Sequence, residues 1–337
     1  MVIGHREDCF SVFLKITISI PLSIARKTEP RRQQTMKNVA EVFPGLVLSK
    51  LGLDVRLSAA ARSRLGGSAW RGIMGWELKA LVCPMNHGAD CKNCLIKSHC
   101  PAYLTMEART DVPGLLDSPR GYVIYCNHEA GEADVRLELT LIGSCSRFYP
   151  ALCKALLSGG KKGVGPSRIP YRLMAVQVLE PDGSWRKMER PDEPLPQIPA
   201  FGPANGAAYR FMTPVRLRKQ GNYLGAMDWP FLFQTLARRL EALSVLFCGG
   251  EPLGREAWTK LSRELEDCGP IASDLNWMEY ERYSNRQERK VPLGGLVGDF
   301  NLDAARPWTR EWMEAARMVH VGKGAAMGLG RVEKVEG

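Results

Sequence analysis

One order of elements, strand–helix–strand–strand–helix–strand, can be read twice along this chain, and it limits the fold more than any other feature. In the first half, residues 46–57 alternate apolar and polar positions with glycine interruptions, as a strand does. Residues 68–81 set Trp70, Ile73, Trp76, Leu78 and Leu81 at helical spacing behind Ser68, a suitable N-cap. Residues 122–126 read as a short buried strand, 127–132 as a turn and 135–142 as a half-buried strand. A helix over 148–157 stops at Gly159-Gly160, and 172–179 closes the set. Residues 181–206, rich in Pro and Gly, read as a linker. The order then returns: strand 211–217, helices 229–246 and 255–267 (the second an addition), strands 275–283 and 293–301, helix 308–319 and strand 329–335.

Two adjacent strand pairs lack a helix between them, which does not suit a doubly wound parallel sheet. The expected class is α+β, two tandem ferredoxin-like (RRM-like) domains over 45–180 and 207–337. A length of 337 residues suits about two domains, and 45% hydrophobic with 24% charged residues excludes wholesale disorder, collagen and coiled coil.

Residues 1–44 stand apart. The apolar run 9–25 is interrupted by Lys15 and Pro21 and is too short to span a bilayer. Glu7 and Asp8 precede it and no small-residue cleavage site follows, which argues against a secretory signal. The segment is expected to be a poorly ordered extension or an artefact of a start upstream of Met36, with a strand packed on the first domain as the other reading. The net charge of +10 favours a polyanionic partner, nucleic acid or anionic membrane. Seven basic against three acidic residues in 1–40 put part of that charge in the extension, and with no spanning segment a membrane is not expected.

Four of the ten cysteines, Cys83, Cys91, Cys94 and Cys100, fall within one stretch that would interrupt the first domain. The central Cys-x2-Cys is a chelating knuckle, while the outer spacings are irregular for common fingers. Thiolates so placed suit a structural Zn²⁺, or less well an iron–sulfur cluster, with His87 and His99 as spare donors; reduced thiols on a loop is the bland reading. The other six are scattered, mostly in apolar contexts such as that of Cys248, and read as buried thiols in a reducing cytoplasm.

Two further features point to an anion. Between the last helix and the last strand, Gly322, Gly324, Gly328 and Gly330 crowd into nine residues with Lys323 and Arg331. Such a loop lets consecutive N–H groups converge on a phosphate, or else serves as a tight cap and a bulge. The order helix–loop–strand is the reverse of a nucleotide P-loop. Upstream, Arg282, Tyr283, Arg286, Arg289 and Lys290 join two strands, and Arg210, Arg216, Arg218 and Lys219 lie on or beside another. A solvated hairpin tip explains such a run, and so does an RNA backbone track with aromatic stacking.

The run Arg286-Gln-Glu-Arg-Lys-Val-Pro-Leu-Gly-Gly-Leu-Val-Gly-Asp, followed by a helix and then by His320-Val-Gly-Lys-Gly-x-x-x-Gly-Leu-Gly, resembles the C-terminal domain of CRISPR-associated precursor-crRNA processing endoribonucleases of the RAMP superfamily. Met212-Thr-Pro-Val-Arg-Leu-Arg-x-x-Gly221 is similar to the strand that opens that domain, and Arg71-Gly-x-x-Gly75-Trp-x-Leu with the cysteine cluster resembles a subset of the family. The resemblance covers 45–335 and is closest after 210. It implies a prokaryotic cytoplasmic protein that binds CRISPR repeat RNA and cuts it with no metal for catalysis, by attack of a 2′-OH on the adjacent phosphate to leave a 2′,3′-cyclic phosphate. Such chemistry needs a base, an acid and cations around the phosphorane.

Of five histidines, His320 alone abuts the glycine-rich loop, at a helix C-terminus that favours a protonated ring, and is the candidate acid or base. The first helix carries no histidine, a departure from many members, so Tyr283 and Lys290 stand in reserve. Gly322, Lys323, Gly324, Gly328, Gly330, Arg331, Arg216, Arg218, Arg286 and Arg289 are the expected RNA contacts. The alternatives are a non-catalytic RNA-binding subunit that joins other CRISPR effector subunits, and, with no role for the loop, an iron–sulfur redox protein.

Overall fold

The structure is a computed structural model and describes residues 38–59, 65–85, 91–107, 118–126, 128, 131–201, 206–284 and 289–335. After one helical turn, α1 (Val39–Val42), the first half runs β1 (Val47–Leu57), α2 (Gly67–Val82), β2 (Tyr122–Cys126), β3 (Asp134–Ile142), α3 (Tyr149–Gly159) and β4 (Tyr171–Leu179). The antiparallel sheet has the order β2-β3-β1-β4, with β1 central between β3 (Leu51 opposite Leu139) and β4 (Leu53 opposite Val176). That is the strand order of the ferredoxin-like fold. Leu51, Leu53, Val55 and Leu57 of β1 are buried with Trp70, Met74 and Leu78 of α2. Each such side chain contributes about 1.5–3 kcal/mol of burial.

The second half repeats the plan. Its elements are β7 (Ala208–Val215), after β5 (Trp185–Lys187) and β6 (Ile198–Pro199), then a small ribbon of β8 (Arg218–Lys219) and β9 (Asn222–Tyr223), α4 (Trp229–Phe247), the added α5 (Arg255–Glu266), β10 (Ala272–Met278), β11 (Glu281–Ser284), β12 (Arg289–Pro292), β13 (Gly295–Asn301), α6 (Trp308–Val319) and β14 (Val332–Lys334). The sheet order β10-β13-β7-β14 is again ferredoxin-like.

Four details depart from the sequence reading. The stretch 181–206 is no free linker: β5 pairs with β4, β6 pairs with Val47 and Leu48 at the start of β1, and Ser49 Oγ donates to the Pro196 carbonyl at 2.7 Å. The strand expected over 275–283 breaks after Met278, where pairing with β13 ends, and the chain leaves the sheet as the separate β11–β12 hairpin. Helix α2 is capped at Gly66 without a side-chain bond, so Ser68 already lies inside it. Val39 and Phe43, placed with the extension in the sequence reading, are buried in the core of the second half, where Phe43 meets Trp312 edge to face at 6.3 Å. Residues 1–37 lie outside the described residues.

The second core also takes Leu46, Leu48 and Ile142 from the first half, so the halves pack against each other through it. Among the described residues no helix is long and apolar enough to cross a membrane.

Candidate functional site

The glycine-rich loop lies in the seam between the halves. Helix α6 ends at Val319, and His320 caps it with φ 59°. Gly330, at φ 66°, leaves no room for a side chain: a Cβ there would stand 1.8 Å from the Val321 carbonyl oxygen. The loop presses its backbone onto the first half. At Gly67, in the first turn of α2, a Cβ would meet the carbonyl oxygens of Ile124 at 2.2 Å and Met327 at 2.6 Å.

This packing occupies part of the loop's backbone. Several of the loop's N–H donors are used by the protein itself: Lys323 donates to Arg216, Met327 and Leu329 to Gly324, Gly328 to Ala325 and Gly330 to Pro214, while Arg331 N–H donates to Thr213 Oγ1. Four glycines serve a tight backbone crossing, and the donors from 327 to 331 are already taken.

His320 is 3% exposed, and its Nδ1 stands 3.2 Å from the Leu329 carbonyl, which can only accept, so Nδ1 carries the proton. Burial, then the charges of Arg331, Lys50 and Arg239, hold the ring well below its ordinary pKa. The protonated form expected at a helix C-terminus is therefore not favoured here. The ring packs edge to face on Tyr125 and has the surroundings of a neutral structural histidine. His128 is buried, with Nε2 2.9 Å from the Glu132 carbonyl, and His99 is paired with Ser98, so neither lines the cleft described below. His5 and His87 lie outside the described residues.

The basic residues separate into two sets. Arg331 is sequestered: its guanidinium bonds Glu138 at 2.8 and 3.1 Å, bonds Glu333, and stacks 3.8 Å over the Tyr125 ring. Arg216 is likewise buried; it donates to the Gly294 and Pro292 carbonyls at 3.1 and 3.0 Å and lies 4.2 Å over the Tyr223 ring. Both expected RNA contacts thus hold the fold together. The other set faces outward. Arg218 is exposed and closes its own turn on the Gly221 carbonyl, Lys323 is half-buried, and Lys290 is exposed on β12, 3.3 Å from Glu281. Tyr283 and Arg289 belong to the β11–β12 hairpin, whose register pairs Tyr283 with Lys290 and Ser284 with Arg289, and Arg286 lies outside the described residues.

The structure brings together a cleft that motif reading missed. Gly66 and Gly67 at the start of α2, Tyr125 and Cys126 of β2, Thr213 and Pro214 of β7, Met278 at the end of β10 with Tyr280 beyond it, and Met327–Leu329 of the loop line one opening between the halves. The Tyr280 hydroxyl sits so close to Gly66 that a Cβ there would come within 2.3 Å of it. Beside the cleft, Arg71 of α2 donates from Nε to the buried Tyr122 hydroxyl at 2.9 Å, and that hydroxyl contacts Met106 Sδ at 3.2 Å. Burial raises the Tyr122 pKa, against the charges of Arg71 and Arg120. Arg282, two residues beyond Tyr280, has its pKa lowered by burial and then by Arg71. Arg71 and Arg282 stand in motifs visible in the sequence; a lone tyrosine after a strand carries no such signal.

The four cysteines Cys83, Cys91, Cys94 and Cys100 are half-buried and line a second cleft with Lys79, Ile96 and Tyr103. The soft donor set suits zinc. Among the described residues, however, no three of His, Cys, Asp and Glu stand together as metal ligands, so the expected metal site is not assembled as drawn.

Comparison with known proteins bears on this site. Residues 209–332, from β7 through the glycine-rich loop, match the family model of the CRISPR-associated endoribonuclease Cas6, and residues 48–198 match a family model described as an N-terminal domain. No curated protein matches the chain. Among solved structures, a Thermus thermophilus Cas6 in a product complex is similar at 15% identity and a TM-score of 0.54, covering 86% of this chain and 99% of that chain. A partial Cas6-RT-Cas1–Cas2 complex is similar at 14% identity and a TM-score of 0.52, covering 88% of this chain and 47% of that chain. These likenesses share the paired ferredoxin-like fold, and the matched domain contains the loop, His320 and the β11–β12 hairpin. In residues 209–332 the chain is thus similar to the CRISPR-associated endoribonuclease Cas6, and over 86% of its length it shares the fold of solved Cas6 structures.

Proposed function

We propose that the protein binds CRISPR repeat RNA across the seam between its halves and cuts it once, without a catalytic metal. In the step proposed, the 2′-oxygen attacks the adjacent phosphorus and gives up its proton, the P–O5′ bond breaks, and the 5′-oxygen takes a proton. The products end in a 2′,3′-cyclic phosphate and a 5′-hydroxyl. The observation that carries this reading is the seam itself: the glycine-rich loop of the matched domain meets the start of α2 beside a cleft lined by Tyr125 and Tyr280, with Arg71 one turn further along α2. Cations and hydroxyls there suit a developing phosphorane.

The test is incubation of the full chain with the repeat RNA of its neighbouring CRISPR array in excess chelator. A single cut with cyclic-phosphate and 5′-hydroxyl ends supports the proposal; RNA left intact, or cut only after metal is restored, overturns it. The burial of His320 favours a second reading, tight repeat binding without cutting within a larger CRISPR complex, and bound but uncut RNA in the same experiment selects it. A structural zinc on Cys83, Cys91, Cys94 and Cys100 is part of the proposal, supported by their lining one cleft, and it takes no part in the reaction.

A further inference from the structure

We propose that Arg71 of α2 and Arg282 of the β11–β12 hairpin form a two-armed clamp for a phosphate at the mouth of the cleft between the halves; taking that phosphate as the one cut rests on the functional reading above. Arg71 comes from the first half and Arg282 from the second, on elements that meet where the Tyr280 hydroxyl packs against Gly66 at the start of α2; Arg71 there bonds Tyr122, and Arg282 lies two residues beyond Tyr280. Like charges brought together at a partly buried place raise the energy of the fold unless an anion lies between them.

No such anion stands among the described residues. Among the described residues neither arginine has a carboxylate partner, whereas Arg56, Arg136, Arg186, Arg210, Arg306, Arg310, Arg317 and Arg331 all do. Arg71 uses one donor, on Tyr122. Arg282 has a buried Nε with no hydrogen-bond partner among the described residues. Buried donors of this kind are rare and call for a ligand. A guanidinium presents its donors as a planar fork that matches two oxygens of a phosphate. Arg216 fixes the approach: its bonds to the Pro292 and Gly294 carbonyls hold the base of the hairpin that carries Arg282. The clamp adds no covalent step. It binds the phosphate in the ground state and more strongly as charge grows on the equatorial oxygens.

The test uses the full chain, repeat RNA and, separately, inorganic phosphate. Arg282→Ala orphans no protein acceptor, so it leaves the fold intact; Arg71→Lys keeps a donor for Tyr122 and loses the fork. Single-turnover cleavage is expected to slow by about 100-fold in Arg282→Ala and about tenfold in Arg71→Lys. Repeat affinity is expected to change by less than about threefold in each. In the wild type, inorganic phosphate is expected to shift the Nε–H resonances of Arg71 and Arg282 saturably and together. Wild-type protein that cuts, with Arg282→Ala cutting as fast or losing rate and affinity in parallel, overturns the clamp. Wild-type protein that does not cut overturns the functional reading instead, and the phosphate titration then decides: no saturable shift overturns the clamp, and a shared shift sustains it.

Discussion

His320 is the residue at which sequence and structure part most sharply. A histidine beside a glycine-rich loop reads as an acid or base, but this one is enclosed by the loop, by Tyr125 and by three cationic side chains. Its folded pKa lies below the unfolded value of about 6.5, so the native ring stays neutral while the unfolded chain takes up a proton. The stability this neutral site contributes is complete above the unfolded pKa and declines as pH falls below it, by about 1.4 kcal/mol per unit for one proton. His320→Gln keeps a donor for the Leu329 carbonyl and removes the titrating group. Urea unfolding at pH 7.5 and 5.5 is expected to show a steeper fall in the wild type than in the variant. Equal falls would mean that the ring is solvated and free to ionise.

At the scale of elements, the regular pieces were legible and the irregular ones were not. Helix α6 and strand β2 lie where periodicity puts them, because each presents an unbroken apolar pattern to one core. The β10 strand was read too long because Glu279-Tyr280 continues an acceptable strand composition, and only the loss of pairing beyond Met278 ends it. Tyr280 thereby reaches the cleft, which no local pattern foretells. A run of glycines signals close backbone approach without saying what approaches, and at Gly67 and Gly330 it is the protein's own chain. The cysteine segment between α2 and the buried Thr105–Met106 turn is the remaining irregular element. If zinc gathers its four thiolates, purified protein carries one equivalent. Chelation at pH 7 should then make the segment sensitive to protease while β1–β4 stay protected. Protein that holds no zinc, or whose proteolysis pattern ignores the chelator, would leave the thiols reduced and unligated.

Across the whole molecule, a buried charge network ties the two sheets together. Glu138 of β3 receives Lys50 of β1 at 2.5 Å and Arg331 from the second half at 2.8 Å, and Arg331 passes the contact on to Glu333 of β14. Burial works against the Glu138 charge and also lowers the Lys50 pKa, yet Lys50 and Arg331 together bring the Glu138 carboxyl down to about 2. A carboxyl depressed in the fold contributes stability that is present above its unfolded pKa of about 4.5 and is lost as pH falls toward about 2. Removing Glu138 from this buried network takes its carboxylate from Lys50 and leaves Arg331 with Glu333 alone. Glu138→Gln should therefore lose about 3–5 kcal/mol at pH 7. Its unfolding free energy should also fall less between pH 4.5 and 2 than that of the wild type, because the group that takes up the proton is gone. Since Leu46, Leu48 and Ile142 of the first half are packed into the second core, the wild type should still unfold in one calorimetric transition. Two transitions in the wild type, or an acid limb unchanged by Glu138→Gln, would show that the halves are joined by the chain alone.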